Sequence, residues 1–313
     1  MKGLELSKLY YHTYGEPMIR EKFPQLEPLI AVGLVGSGSE CYGFDDTISQ
    51  DHDFEPGFCL FLPDEDVIDN RTAFALERAY AKLPNEFMGI AKLPQAPVGG
   101  NRHGVIRTSD FYRNKIGHPH GFTDFYDWFS TPEFSIAEAV NGEIFRDDYG
   151  AFSYIRQSLL QIPEDVRRKK LASALLIMAQ AGQYNYPRCL THKETGAAQL
   201  AIGEFANQSI RAAFLLNGKF APFYKWTFRA MKSLPLLSNW AQSLEFLISS
   251  TNDEDTIKKK HSLIQKLAED TSRVLQEQKL SSLSHSNLEA HAYTVNQTIR
   301  NINLRNEHIL FAL

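Results

Sequence analysis

Residues 29–62 read LIAVGLVGSGSECYGFDDTISQDHDFEPGFCLFL. The apolar run at 29–36 is rich in Val, Leu and Ile and ends in glycine and serine, which predicts a buried strand. Turn-forming residues fill 36–50 and predict an ordered loop. A second apolar run within 53–62 predicts another strand. The stretch therefore predicts two strands, joined by a loop that begins with a Gly-Ser pair.

The flanking segments extend this pattern to helix, strand, strand, helix, strand. Residues 4–23 and 65–82 space their apolar residues as a helix does, and 103–108 predicts a third strand. After about residue 125 the strand signals stop and long helical patterns follow. The sequence thus predicts an α+β fold, with a mixed sheet and helices in a domain of residues 1–125 and an all-α domain of residues 126–313.

Composition narrows the class of protein. Of the 313 residues, 43% are hydrophobic and 22% are charged, and this composition is typical of a globular chain. The net charge of −4 argues against a strongly basic nucleic-acid surface. Cys41, Cys59 and Cys189 have no metal-site or disulfide spacing, so we expect reduced thiols. The polar N-terminal segment and the lack of a long apolar run predict a cytoplasmic protein without a membrane span.

The quoted stretch also carries a candidate chemical site. Glycine at position 36 lets backbone N–H groups approach an anion closely, and the Ser37 hydroxyl adds a donor. Thirteen residues separate Ser37 from Asp51, and Asp53 follows two positions after Asp51. Residues i and i+2 of a strand share a face, and two adjacent carboxylates repel each other unless a cation lies between them. Mg²⁺ prefers such oxygen ligands. The pattern predicts a site for a metal-bound triphosphate.

These positions resemble the nucleotidyltransferase superfamily that includes aminoglycoside adenylyltransferases and polymerase-beta-like enzymes. Its pattern is an apolar strand, Gly-Ser, a variable loop and then D-x-D. The wider chain resembles an uncharacterised bacterial family, DUF4037, in which this domain precedes a helical one. The segments that carry this resemblance are GSGSECYGFDDTISQDHDFEP, GEIFRDDYG at 142–150 and FLLNGKFAPFYKW at 214–226. Together they span most of residues 30–230.

The superfamily resemblance implies Mg²⁺-dependent transfer of a nucleoside monophosphate, most simply AMP from ATP, to a hydroxyl of an acceptor. Asp51 and Asp53 would be the metal ligands. Gly36 and Ser37 would contact the β- and γ-phosphates. The predicted partners are therefore a nucleoside triphosphate and an acceptor, which is either a small molecule or a macromolecule.

Two further roles follow from the resemblance. A basic residue of the helical part is expected at the triphosphate, with Lys225 as the first candidate and Arg188 as the second. A third carboxylate is expected on a later strand, but the predicted strand at 103–108 contains no acid. Asp110, just beyond it, is a candidate, and Asp148 or Glu194 of the helical part are others.

Other motifs have plainer interpretations. His118 and His120, in Gly-His-Pro-His-Gly, have no cysteine or carboxylate at a metal-site spacing, so a loop is favoured over a zinc site. On a strand, His52 would point away from its neighbouring aspartates, so a solvent-facing or core-packed residue is favoured. Asp45 and Asp46 are adjacent and do not share a face, which favours a loop role.

Two rival functions stay open. One is a catalytically inactive nucleotide-binding or regulatory module, which the missing third carboxylate favours. The other is an interaction protein of a toxin-like system that modifies or binds a protein or tRNA, although the acidic net charge makes nucleic acid an unlikely partner. No pattern indicates the acceptor, the base of the nucleotide or the oligomeric state.

Overall fold

Strands β1 (Ala31–Leu34) and β2 (Cys59–Leu62) form the centre of a four-stranded mixed sheet. The computed structural model describes residues 1–48, 54–92 and 102–312. β1 is antiparallel to β2, with Val32 opposite Leu60, and every residue of both strands is buried. β5 (Gly104–Arg107) lies parallel to β2, and β6 (Glu143–Arg146) lies antiparallel to β1. The α+β fold class is confirmed.

Helices make up most of the remaining described structure. A small two-stranded sheet consists of β3, Glu86–Phe87, and β4, Ile90–Ala91. The helices are α1 Gly3–Tyr10, α2 Glu16–Lys22, α3 Asn70–Tyr80, α4 Thr108–Ile116, α5 Asp127–Ser130, α6 Glu133–Val140, α7 Ala151–Leu160, α8 Glu164–Met178, α9 Tyr186–Thr191, α10 Thr195–Leu216, α11 Tyr224–Met231, α12 Trp240–Ser249, α13 Glu254–Glu277, α14 Leu288–Gln297 and α15 Ile302–Asn306.

The chain forms two compact units that do not divide at a single point. The first consists of Met1–Thr123 and Ser135–Gln161, and the second of Asp124–Phe134 and Ile162–Leu313. Pairing of β6 with β1 accounts for the return of 135–161 to the first unit. The domain boundary after residue 125 stays a prediction.

Strand β6 corrects one expectation from the sequence, namely that strands stop after about residue 125. Its four residues, EIFR, hold only two apolar side chains between two charged ones. Lys8 donates to the Glu143 carboxylate and Arg146 donates to that of Glu27. An edge strand with only two apolar residues carries little hydrophobic periodicity. Its charged ends are tolerated because tertiary partners pair with them.

An aromatic core supports the sheet of the first unit. Tyr10 and Tyr11 are buried against Phe58, with ring centroids 5.9 Å and 5.3 Å away. The predicted helix at 4–23 is three successive segments, because a π-helical turn, Tyr11–Gly15, separates α1 from α2. A Cβ at Gly15 would come within 2.3 Å of the Phe58 ring, so the helix packs closely there.

The second unit is a helical assembly in which α8 packs against α10 and α14. α10 ends at Leu216, and Gly218 adopts a φ of 63° while donating its N–H to the Leu215 carbonyl. This is the glycine cap typical of a helix C-terminus. In the part of the chain that the structure describes, no helix has the length and apolar character needed to cross a membrane.

Candidate functional site

The chain leaves buried strand β1 through a glycine turn. Gly36 has a φ of 107° and Gly38 a φ of 128°, conformations that favour glycine. A Cβ at Gly38 would lie 1.7 Å from Arg102 Nη2. Glycine at 38 therefore allows a guanidinium to approach the backbone directly beside Ser37.

Asn141 holds Gly36, the first residue of this turn, by two hydrogen bonds. Its Oδ1 accepts the Gly36 N–H at 2.8 Å, and its Nδ2 donates to the Gly36 carbonyl at 2.7 Å. Arg156 in turn donates to the carbonyls of Val140, Asn141 and Gly142. Asn141 thus bonds both the N–H and the carbonyl of Gly36, and Arg156 fixes the backbone of the segment that carries Asn141.

The Ser37 hydroxyl belongs to a three-residue polar cluster. Ser37 Oγ donates to Glu138 Oε2 at 2.7 Å, and Lys115 Nζ lies 2.6 Å from both oxygens. Lys115 comes from the last turn of α4 and Glu138 from α6, and both side chains are about four-fifths buried. One carboxylate oxygen therefore lies where a hydroxyl and an ammonium converge.

A second cation lies on the other side of the turn. Arg102 Nη2 donates to the Ser37 carbonyl at 2.5 Å and to the carboxylate of Glu40, which is itself buried. Lys115 and Arg102 together carry the charge that Glu138 and Glu40 balance. The cluster can bind an anionic oxygen, and the formal charges of these four side chains sum to zero.

The predicted metal ligands Asp51 and Asp53 lie outside the described residues, as does His52. Within residues 1–48, 54–92 and 102–312, no group of three or more His, Cys, Asp or Glu side chains could hold a metal ion. Glu55 is the described acidic residue nearest in sequence to this aspartate pair. Its Oε1 lies 3.1 Å from His103 Nδ1. The metal role of the aspartate pair stays a prediction.

The three candidates for the third carboxylate lie in different surroundings. Asp110 is half exposed on α4 and pairs with Arg113. Asp148 is also half exposed and pairs with Arg146. Glu194 is exposed and directly precedes α10. Among the described residues of the first unit, no hydrogen bond or ion pair joins Asp110 or Asp148 to the Ser37 cluster.

The basic candidates Lys225 and Arg188 both belong to the second unit. Lys225 is exposed on α11, with Nζ 5.0 Å from the centroid of the Trp226 ring. Arg188 is exposed on α9 and lies over the Tyr184 ring at 5.8 Å. Their contact with a triphosphate stays a prediction.

The plainer motifs have structural partners. His120 Nδ1 lies 3.8 Å from the Asp64 carboxylate, and His118 packs edge-to-face on Phe122. Asp45 is buried, and its carboxylate accepts the Gly3 N–H at 2.8 Å, at the start of α1. The loop interpretation of the Asp45-Asp46 pair therefore has a physical basis, because Asp45 satisfies a helix N-terminus.

The cysteines are free thiols. Cys41 and Cys59 are buried, and Cys189 is partly exposed. Burial raises the pKa of Cys59 to about 12, and burial likewise raises the pKa of Cys41 far above its ordinary value. Neither buried thiol would be a nucleophile at neutral pH.

The sequence did not identify the residues that surround Ser37. Lys115, Glu138 and Asn141 lie 78 to 105 positions from the turn, so no local pattern connects them to it. The one available signal was the resemblance segment GEIFRDDYG, which begins directly after Asn141.

Part of the chain is similar to a known family. Residues 128–227, less than half of the chain, match the family model described as a domain of unknown function, DUF4037. No curated protein matches the chain. A crystal structure of a nucleotidyltransferase-like protein from Exiguobacterium sibiricum 255-15 is similar at 11% identity over 90% of both chains, with a TM-score of 0.35. A likeness at that level carries no argument about mechanism.

Proposed function

We propose that the protein is a Mg²⁺-dependent nucleotidyltransferase, which moves a nucleoside monophosphate, most simply AMP from ATP, to a hydroxyl of an acceptor. The observation that carries the proposal is the convergence of the Ser37 hydroxyl and the Lys115 ammonium on one anionic oxygen, at the glycine turn after β1. The D-x-D pair that follows supplies the second half of the pattern.

The donors at the turn suit a phosphate oxygen. Glu138 Oε2 accepts hydrogen bonds at 2.7 Å from Ser37 and 2.6 Å from Lys115, so this carboxylate oxygen stands in for the anion. Charge-assisted bonds from an ammonium are as favourable to phosphate as to carboxylate. In the proposed complex a terminal phosphate oxygen of the triphosphate takes this place, and the Glu138 side chain turns away.

Charge balance favours a metal-dependent reaction. Lys115 and Arg102 pair with Glu138 and Glu40, so these four side chains have no net formal charge with which to compensate a triphosphate. Mg²⁺ would supply that compensation and activate the acceptor hydroxyl. Asp51 and Asp53 have the hard oxygen donors that this ion prefers, and in the proposal they hold it.

One observation favours a nucleotide-binding module without turnover as the second candidate. β5, Gly104–Arg107, contains no acid that could act as a general base. Arg107, at its end, donates to the carbonyls of Pro63 and Ile68, which is a structural role. In this case the site binds nucleotide and metal, and no nucleotide is transferred.

Transfer of label from α-³²P-ATP separates the two candidates. The protein is incubated with Mg²⁺ and three classes of acceptor, namely small polyhydroxyl molecules, tRNA and the protein itself. We expect labelled acceptor and released pyrophosphate, both lost in Asp53→Asn and kept in Asp255→Asn, a change at an exposed carboxylate of α13. Nucleotide binding without transfer to any acceptor supports the module. Absence of nucleotide binding, with or without Mg²⁺, contradicts both candidates.

A further inference from the structure

A cavity of about 610 Å³ is lined only by residues of the second compact unit. Its volume is that of an ordinary small-molecule site. The lining residues come from 129–134, α8, α10 and the segment 221–228. Nearly all of them fall within 128–227, the region matched by the family model.

The walls of the cavity are aromatic. Phe134 and Phe223 pack edge-to-face with centroids 5.4 Å apart, and Tyr224 lies 4.3 Å from Phe223. Phe134 is 39% exposed and Tyr224 is 77% exposed, so both rings are accessible to a ligand. Such rings offer faces and edges to a planar apolar group.

The cavity is also charged, since Glu133, Lys170 and Arg211 line it. Arg211 donates through Nε to Glu133 Oε1 at 2.8 Å, and through Nη2 to the Ala312 carbonyl at 2.5 Å. Lys170 is almost fully buried beside them. One carboxylate faces two cations, so the described lining carries a formal charge of +1.

Lys170 is poorly satisfied for a buried lysine. Its one hydrogen-bond acceptor among the described residues is Glu133 Oε1, at 3.4 Å, and its Nζ also lies 5.7 Å from the centroid of the Phe129 ring. Two other buried lysines of the same unit differ: Lys169 donates to Asn296 at 3.0 Å and to the Glu307 carbonyl at 2.6 Å. Lys260 has three acceptors, at 3.0 to 3.1 Å. An ammonium has three donors, and leaving them unmade in a buried place is costly.

We propose that this cavity is a binding site for a small aromatic monocarboxylate, whose carboxylate is held by Lys170 and whose ring lies against Phe134 and Phe223. A single negative charge completes the balance of the lining, whereas a dianion would leave a buried charge uncompensated. The carboxylate also supplies the acceptor that Lys170 lacks. This inference does not depend on the proposed nucleotidyl transfer.

Calorimetric titration of the full chain with 3-phenylpropionate tests the site. The neutral analogue 3-phenylpropionamide has the same ring without the charge. We expect its binding to be weaker than that of the acid by at least about tenfold. Phenyl phosphate tests the preference for a single charge. The proposal is overturned if the acid does not bind, if the amide binds as well as the acid, or if phenyl phosphate binds about tenfold more tightly than the acid.

Three variants locate the ligand. Lys170→Met should weaken binding of the acid about tenfold, whereas Lys260→Met, the same change at a buried lysine outside the cavity, should leave it within about twofold. Glu133→Gln should tighten it several-fold, because the internal carboxylate no longer competes for Lys170 and Arg211. Unchanged binding in Lys170→Met contradicts the site. If Lys170→Met does not fold, the Glu133→Gln variant provides the test. Binding of the acid that is no tighter in Glu133→Gln than in the wild type contradicts the proposal.

Discussion

Replacing Lys115 by methionine should weaken the binding of MgATP without unfolding the protein. The ammonium lies 2.6 Å from both Ser37 Oγ and Glu138 Oε2, so it is in place for a charge-assisted bond to a phosphate oxygen. Such a bond contributes about 1.5 to 3 kcal/mol. The dissociation constant for MgATP should therefore rise roughly 10- to 150-fold.

The same substitution has a smaller effect on folding. The side chains of Lys115 and Glu138 are 22% and 18% exposed, so their pair is neither a surface nor a fully buried salt bridge. We expect a loss of about 1 kcal/mol in the free energy of unfolding, measured by urea denaturation. Binding should be measured by calorimetry, at a temperature at which circular dichroism shows the variant folded.

Lys8→Met is the matched control. Lys8 belongs to the same unit and also pairs with a glutamate, Glu143, but it does not contact the Ser37 turn. Its MgATP affinity should equal that of the wild type. A folded Lys115→Met protein that binds MgATP within about twofold of the wild type would refute the assignment of the turn as the phosphate site.

Three further predictions concern stability and reactivity. Gly142→Ala should cost more than the roughly 1 to 2 kcal/mol of left-handed backbone strain, since φ is 64° and its Cβ would lie 2.0 Å from the Leu34 carbonyl. Gly150→Ala, with a φ of 79° and open space, should cost the strain alone in urea unfolding; equal costs would contradict this packing argument. Burial by itself raises the pKa of Glu133, but Arg211 and Lys170 hold the pKa below its ordinary value. Its stabilisation is therefore present above the unfolded pKa of about 4.3 and is lost as pH falls. Glu133→Gln should be roughly 3 kcal/mol less stable at pH 7, and the difference should shrink below about pH 4; a difference independent of pH would contradict this. Iodoacetamide at pH 8 should modify Cys189 first, and Cys41 and Cys59 only on unfolding, as read by mass spectrometry. Labelling of Cys59 before the protein unfolds would show that this thiol is accessible in the folded state, which contradicts the prediction.

The strands that the sequence predicted share a strong local signal. β1 and β2 each lie within a predicted apolar run and are fully buried, and β5 lies within the strand predicted at 103–108. β6 escaped prediction because its two apolar residues stand between Glu143 and Arg146, whose charges are paired across the fold. Helix α4 was not predicted, because a helix of 9 residues carries too few turns for a clear period.

The site was predictable only in its local part. Gly36 and Ser37 stand out because glycine and serine follow a buried strand within a few positions. Lys115 and Glu138 reach the same hydroxyl from 78 and 101 residues away. Their approach depends on how α4 and α6 pack, which no spacing in the sequence encodes.

Calorimetric titration of ATP into the wild type and into an Asp51→Asn, Asp53→Asn double variant tests the central claim most directly. The experiment is run with Mg²⁺ and again with EDTA. We expect the wild type to bind ATP with Mg²⁺, and the affinity to fall at least about tenfold with EDTA or in the variant. ATP binding of equal strength in all four conditions, or no binding to the wild type, would contradict a metal–triphosphate site at the Gly36-Ser37 turn.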